Sequence, residues 1–99
     1  MQYGGSVYIL TNKNRTTLYV GVTSNLAARI QEHREKKYPN SFTARYNLDR
    51  LVFYENFTRI EEAIAREKQL KGGSRKKKED LIDAFNVMWR DLSDEVLSW

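Results

Sequence analysis

Val7-Tyr8-Ile9-Leu10 and Leu18-Tyr19-Val20-Gly21 are two short apolar runs, each with one tyrosine set among aliphatic neighbours. β-branched and aromatic residues at this density fit a pleated, half-buried strand. Between them Asn12-Lys13-Asn14-Arg15-Thr16 is polar and rich in turn formers, so the simplest connection is an antiparallel hairpin. Successive side chains of a strand point to opposite faces, which sets Tyr8 against Val7 and Ile9, and Tyr19 against Leu18 and Val20. A register with Tyr8 across from Tyr19 places both phenols on one face and the aliphatics on the other; a slip of one residue separates them. Taken alone, two such tyrosines are a cross-strand aromatic pair contributing up to about 1 kcal/mol.

Working outward, Thr23, Ser24 and Asn25 are all competent N-caps for a helix running to about Lys36. Leu26, Ile30 and His33 share one stripe of that helix, with Arg29 beside it. Arg29 and His33 are i, i+4 neighbours, about 5–6 Å apart at Cβ. Pro39-Asn40-Ser41 breaks the pattern, and Phe42 to Asp49 reads as a loop before a third strand, Leu51-Val52-Phe53-Tyr54. Thr58 and Glu61 have capping-box spacing and predict a helix start. That helix ends at Gly72-Gly73, after which Ser74 caps another carrying Lys78, Leu81, Ile82 and Phe85 at helical spacing. The segment from Trp89 to Trp99 is expected to pack Trp89, Leu92, Val96 and Leu97 back onto the body. The order is β-β-α-β-α-α, in a single domain over residues 1–99.

Ninety-nine residues with 40% hydrophobic and 12% aromatic content suit one globular domain that buries roughly 60–70% of its unfolded surface. The chain has no cysteine, which removes disulfides and thiolate zinc from consideration and fits a cytoplasmic location. No run approaches the roughly 20 apolar residues of a membrane span, and no signal peptide is expected. A net charge of +4 and a pI near 9.4 point to an anionic partner. The positive charge concentrates in Lys71, Arg75, Lys76, Lys77 and Lys78, which is either a solvated helix face or a phosphate contact.

Glu67 interrupts the stripe formed by Ile60, Ala63, Ile64 and Leu70 on the second helix. A carboxylate on a buried stripe must be paired, protonated or bound to a cation. Two outcomes are open: a salt bridge, for instance to Arg29, or an oxygen ligand for Mg²⁺, which takes one or two carboxylates plus waters and phosphate oxygens. Two phenols, a guanidinium, an imidazole and a carboxylate are a kit suited to cutting a phosphodiester.

These residues, in this order, resemble the GIY-YIG nuclease superfamily. Ser6-Val7-Tyr8 stands where Gly-Ile-Tyr is named, and Tyr19-Val20-Gly21 is close to Tyr-Ile-Gly. Arg29 follows at the spacing of the family's helix arginine, and Glu67 within Arg66-Glu67-Lys68-Gln69-Leu70-Lys71 matches its metal-binding glutamate. Ser41-Phe42-Thr43-Ala44-Arg45-Tyr46-Asn47 and the Lys71–Lys78 cluster look like a small bacterial, stand-alone branch. Several relatives also carry an asparagine about a dozen residues after the glutamate, where this chain reads Lys77-Lys78-Glu79-Asp80.

The resemblance implies an α+β fold, a small three-stranded antiparallel sheet flanked by helices, with a cleft on the tyrosine face. It further implies a metal-dependent endonuclease. Tyr8 would be the general base, helped by Tyr19 or His33, with Arg29 lowering the phenol's pKa and gripping phosphate. Glu67 would hold one Mg²⁺ (or Mn²⁺), and Gly21 would keep the strand end open to substrate. Arg45, Lys71, Arg75, Lys76 and Lys77 would contact the nucleic-acid backbone, with DNA the first expectation. Two other readings remain: a module of this fold that grips nucleic acid without cutting, and a domain whose basic surface meets an acidic protein. The sequence leaves strandedness and the choice between monomer and homodimer open.

Overall fold

A computed structural model describes residues 3–99 of the chain. Its middle strand is β1 (Gly5–Thr11), which pairs antiparallel with β2 (Leu18–Thr23) on one side and β3 (Arg50–Phe57) on the other. Every residue of β1 is buried. Both faces of the sheet are covered, so this strand reads as a nearly unbroken apolar run rather than an alternating one.

Alternation along β1 divides the core. Val7 and Ile9 pack with Val20, Ala63, Leu70 and Ile82, under α3 (Ile60–Gly72) and α4 (Arg75–Phe85). Tyr8 and Leu10 pack with Leu26, Ile30, Leu92 and Val96, from α1 (Leu26–Glu35) and the segment around α5 (Ser93–Leu97). The result is the expected three-stranded antiparallel sheet with flanking helices, an α+β fold.

Several elements differ from the sequence expectation. The stretch read as a loop contains one helical turn, α2 (Phe42–Arg45), whose N-cap Ser41 accepts from Ala44 N–H at 3.3 Å. α5 closes the chain with another short helix and buries Val96, while Leu92 and Trp89 are buried as expected. The start of α3 lies one residue later than the Thr58–Glu61 spacing implies: Arg59 is the N-cap, and Glu62 accepts its backbone N–H at 3.1 Å. The shift follows from β3, which continues to Phe57 and delays the turn into the helix. Ile64, expected on the buried stripe of α3, is exposed.

β3 carries a bulge that the sequence did not signal. Ile9 pairs with Phe53 but Leu10 pairs with Leu51, so Val52 is the extra residue. Val52 and Phe53, neighbours in sequence, consequently both enter the α3/α4 layer, while Leu51 and Tyr54 face the other way. The Val52 carbonyl is taken by the buried Asn86, whose Nδ2 donates to it at 3.2 Å and to Arg90 O at 2.7 Å. The bulge is therefore compensated by a side chain 34 residues away.

Candidate active site

The strand register decides how the two tyrosines meet. Tyr8 lies across from Gly21, not Tyr19, and Tyr19 lies across from Leu10. The expected direct pairing is thus corrected by two residues, an even shift that preserves the face. Both phenols remain on the α1 side as diagonal neighbours, with ring centroids 6.3 Å apart. The partner opposite Tyr8 has to be small. A Cβ on Gly21 would sit 2.5 Å from Tyr8 Oη and 2.9 Å from its Cε1, inside van der Waals contact. Gly21 makes room for the Tyr8 ring.

α1 brings the next groups. Asn25 caps it by accepting from Ala28 N–H, and the helix closes on Lys36 in the left-handed region at φ 51°. Leu26 and Ile30 anchor its inner stripe, leaving His33 half-buried above Tyr8. His33 Nε2 is 3.1 Å from Tyr8 Oη, and His33 Nδ1 is 3.1 Å from Thr43 Oγ1 on α2. Thr43 is buried and also lies 3.3 Å from Ser41 Oγ. Arg29, one turn before His33, reaches Glu32 at 3.5 Å and lines a cavity of about 140 Å³ with Tyr19, His33, Lys36 and Phe42. Thr43 was absent from the sequence-derived set. Its only local signal was the cap competence of Ser41 two residues earlier, which marks a helical turn but not a partner for histidine.

Glu67 approaches from the other layer. Its side chain is 16% exposed, and Oε2 is paired with Lys71 at 3.1 Å, not with Arg29. No hydrogen bond or ion pair joins Glu67 to Tyr8, Tyr19, Arg29 or His33 among the described residues. No group of three or more metal-competent side chains occurs among them either, so a cation here would rest on one carboxylate.

The GIY-YIG catalytic domain matches residues 4–80, a span that holds both tyrosine strands, Arg29, His33 and Glu67. The chain belongs to the GIY-YIG family. Among its relatives, a UPF0213 protein of Syntrophus aciditrophicus is 38% identical over 76 residues, covering 77% of this chain and 86% of that one. A UPF0213 protein of Clostridium perfringens is 34% identical over 94 residues, covering 91% and 95%. The solution NMR structure of a UPF0213 protein from Bacillus halodurans superposes with a TM-score of 0.52 at 35% identity, covering 81% of this chain and 83% of that one. The GIY-YIG assignment implies a nuclease-type function and a nucleic-acid substrate.

Within this GIY-YIG site the electrostatics run against a free phenolate. Burial pushes the Tyr8 phenol well above its ordinary value, and Tyr19, Glu32 and Glu67 push the same way. Arg29 pulls it down but loses, so the expectation that Arg29 would acidify Tyr8 is overturned by desolvation. His33 moves down instead, first through burial and then through Arg29, with Glu32 opposing. Near neutral pH the pair is therefore a protonated phenol and a neutral imidazole. The two contacts are linked through the tautomer: with Tyr8 O–H donating to Nε2 the imidazole proton sits on Nδ1 and donates to Thr43 Oγ1, and the other tautomer reverses both bonds.

The basic cluster of this GIY-YIG domain is largely engaged. Lys71 pairs with Glu67, and Lys76 pairs with Asp80 at 2.5 Å. Arg75 pairs with Glu79 at 3.0 Å and donates to Thr16 O and Arg15 O at 2.8 and 2.7 Å, tying α4 to the β1–β2 turn. Of the five cations assigned to nucleic acid, Arg45 and Lys77 have no ion pair among the described residues.

Proposed function

We propose that this GIY-YIG protein is a metal-dependent endonuclease that hydrolyses phosphodiester bonds, with DNA the first substrate to test. The observation that carries the reading is the hydrogen-bonded series Tyr8–His33–Thr43 beside Arg29, on one face of a sheet whose other layer supplies Glu67.

Attack on phosphorus needs a proton acceptor for water, charge complementarity for the transition state and help for the leaving oxygen. Tyr8 with its pKa raised is a poor base by itself. Coupled to neutral His33 it does not need to be a free phenolate. As the water oxygen bonds to phosphorus and the bond from phosphorus to the leaving oxygen breaks, the water proton passes to Tyr8 Oη while the Tyr8 proton passes to His33 Nε2, and the departing alkoxide takes its proton from solvent. Thr43 keeps Nδ1 as the donor, so Nε2 stays open as the acceptor. Arg29 lines the same cavity, and its planar fork suits two oxygens of the phosphate.

Glu67 fits a one-carboxylate divalent site: its side chain is 16% exposed, and its counter-ion is a single exposed lysine. Glu67 would hold the cation, Mg²⁺ or Mn²⁺, which would supply Lewis acidity to the phosphodiester. The Lys71–Glu67 pair favours the second reading, a module that binds nucleic acid without cutting, since the carboxylate already has a positive partner.

The test is nicking of supercoiled plasmid, and cleavage of single-stranded and branched oligonucleotides, with Mg²⁺ or Mn²⁺. Wild type should cut only with metal, and folded Glu67→Gln should not cut. Binding without cutting on every substrate and metal by the wild type would select the second reading.

A further inference from the structure

α2 presents two half-exposed aromatic rings to solvent. Phe42 is 49% and Tyr46 51% exposed, with ring centroids 4.7 Å apart, while Thr43 between them is buried. The turn that carries them is pinned. Ser41 caps it, Leu48 N–H donates to Thr43 O at 2.8 Å, and Lys36 Nζ donates to Asn47 Oδ1 at 3.0 Å. Phe42 is also stacked on Tyr19, with centroids 6.3 Å apart and planes inclined by 29°. The three rings make a ladder, Tyr19–Phe42–Tyr46, that starts inside the candidate active site and ends in solvent.

We propose that Phe42 and Tyr46 form a stacking platform for an unpaired nucleobase of the strand being cut. The proposal rests on the nuclease reading and adds a substrate class to it. Flat rings held open to solvent match the π-face of a base, and such stacking tolerates any sequence. The surrounding charge is net positive and suits the backbone that joins bases: Lys36 and Arg29 line the adjoining cavity against one carboxylate, Glu32, and Arg45, on the same turn, carries no ion pair among the described residues. A paired base inside a duplex keeps both faces covered by its neighbours, so the platform selects a single strand, flap or bulge. Phe42 lines the same cavity as Tyr19 and Arg29, so the phosphate flanking a base stacked on it would enter that cavity.

Binding of oligonucleotides containing 2-aminopurine, measured without metal, tests this apart from cleavage. Wild type should bind single-stranded deoxy or ribo strands with a change in 2-aminopurine fluorescence, and bind an abasic strand of equal length about tenfold more weakly. Phe42→Leu retains apolar bulk but removes the flat ring, and Tyr46→Ala removes the other. Each folded variant should lose affinity for the base-containing strand by about five- to tenfold or more. Phe42→Trp should retain the affinity. Equal binding of abasic and base-containing strands, or wild-type affinity in both Phe42→Leu and Tyr46→Ala, overturns the platform. Cleavage separates the two ideas: a stacking response in a protein that cuts nothing sinks the nuclease reading alone, and cutting without a stacking response sinks the platform alone.

Discussion

Gly21→Ala is the sharpest perturbation, because it adds one methyl group at the centre of the site. The backbone offers no objection, since no glycine among the described residues has a positive φ. The obstacle is Tyr8, whose ring is buried and whose Oη would lie 2.5 Å from the new Cβ. Relief requires the ring to leave its place, and with it the 3.1 Å contact to His33 Nε2. Overpacking a filled site costs about 1–3 kcal/mol, and the lost hydrogen bond about 0.5–1.5 kcal/mol. Together they amount to about 1.5–4.5 kcal/mol, which for a domain of this size lowers Tm by about 7–22 °C. Thermal denaturation followed by circular dichroism reads this directly. A double-mutant cycle sharpens it: Tyr8→Phe should destabilise the wild type more than Gly21→Ala, because in the latter the hydroxyl has already left His33. A Gly21→Ala protein melting within about 3 °C of wild type would refute the packing argument.

Other outcomes follow from the same geometry. Thr43→Val preserves shape but removes the acceptor for His33 Nδ1–H; leaving that donor unpaired should cost about 1–3 kcal/mol and lower kcat, with Thr43→Ser retaining both, as melting and nicking rates would show. His33 resists protonation in the fold, so it contributes stability above the ordinary imidazole value and loses it as pH falls through the lower folded value. As pH falls below about 6.5, His33→Gln should flatten the decline in denaturant midpoint, and an equal slope in both proteins would contradict the assignment. Arg75→Ala should lower stability by about 1–2 kcal/mol by freeing the β1–β2 turn, with little change in the salt dependence of DNA binding. Lys77→Ala should do the reverse, leaving Tm in place and reducing the slope of log K against log salt by about 0.9 on duplex DNA.

How far these features can be read from sequence depends on how local their causes are. The first two strands, α1 and α4 follow from periodicity and cap residues within a few positions, and Leu26, Ile30 and Ile82 are buried as their stripes imply. The end of β3 and the start of α3 were displaced because pairing with β1 carries β3 on to Phe57, overriding the capping signal at Thr58. α2 and α5 are single turns stabilised by tertiary packing, too short for periodicity to register. Glu67 is recognisable as an anomaly on its stripe, but the stripe does not say which cation it meets, and the structure gives it Lys71, one turn away on the same helix. The basic run was visible as charge, but the engagement of Arg75 by the hairpin joins residues 59 and 60 positions apart.

What the sequence by itself determined is the inventory and its local frames: two tyrosines on strands, arginine and histidine one helical turn apart, and a glutamate on a later helix. Tertiary structure decided the register that sets Tyr8 over Gly21, the contact of His33 with both Tyr8 and Thr43, and the protonation states of that pair. The reason is physical. Secondary structure is encoded by neighbours within a turn or two, whereas hydrogen-bond partners and desolvation depend on which distant segments are packed together. Burial at Tyr8 outweighs the charge of Arg29, and no spacing along the chain carries that balance.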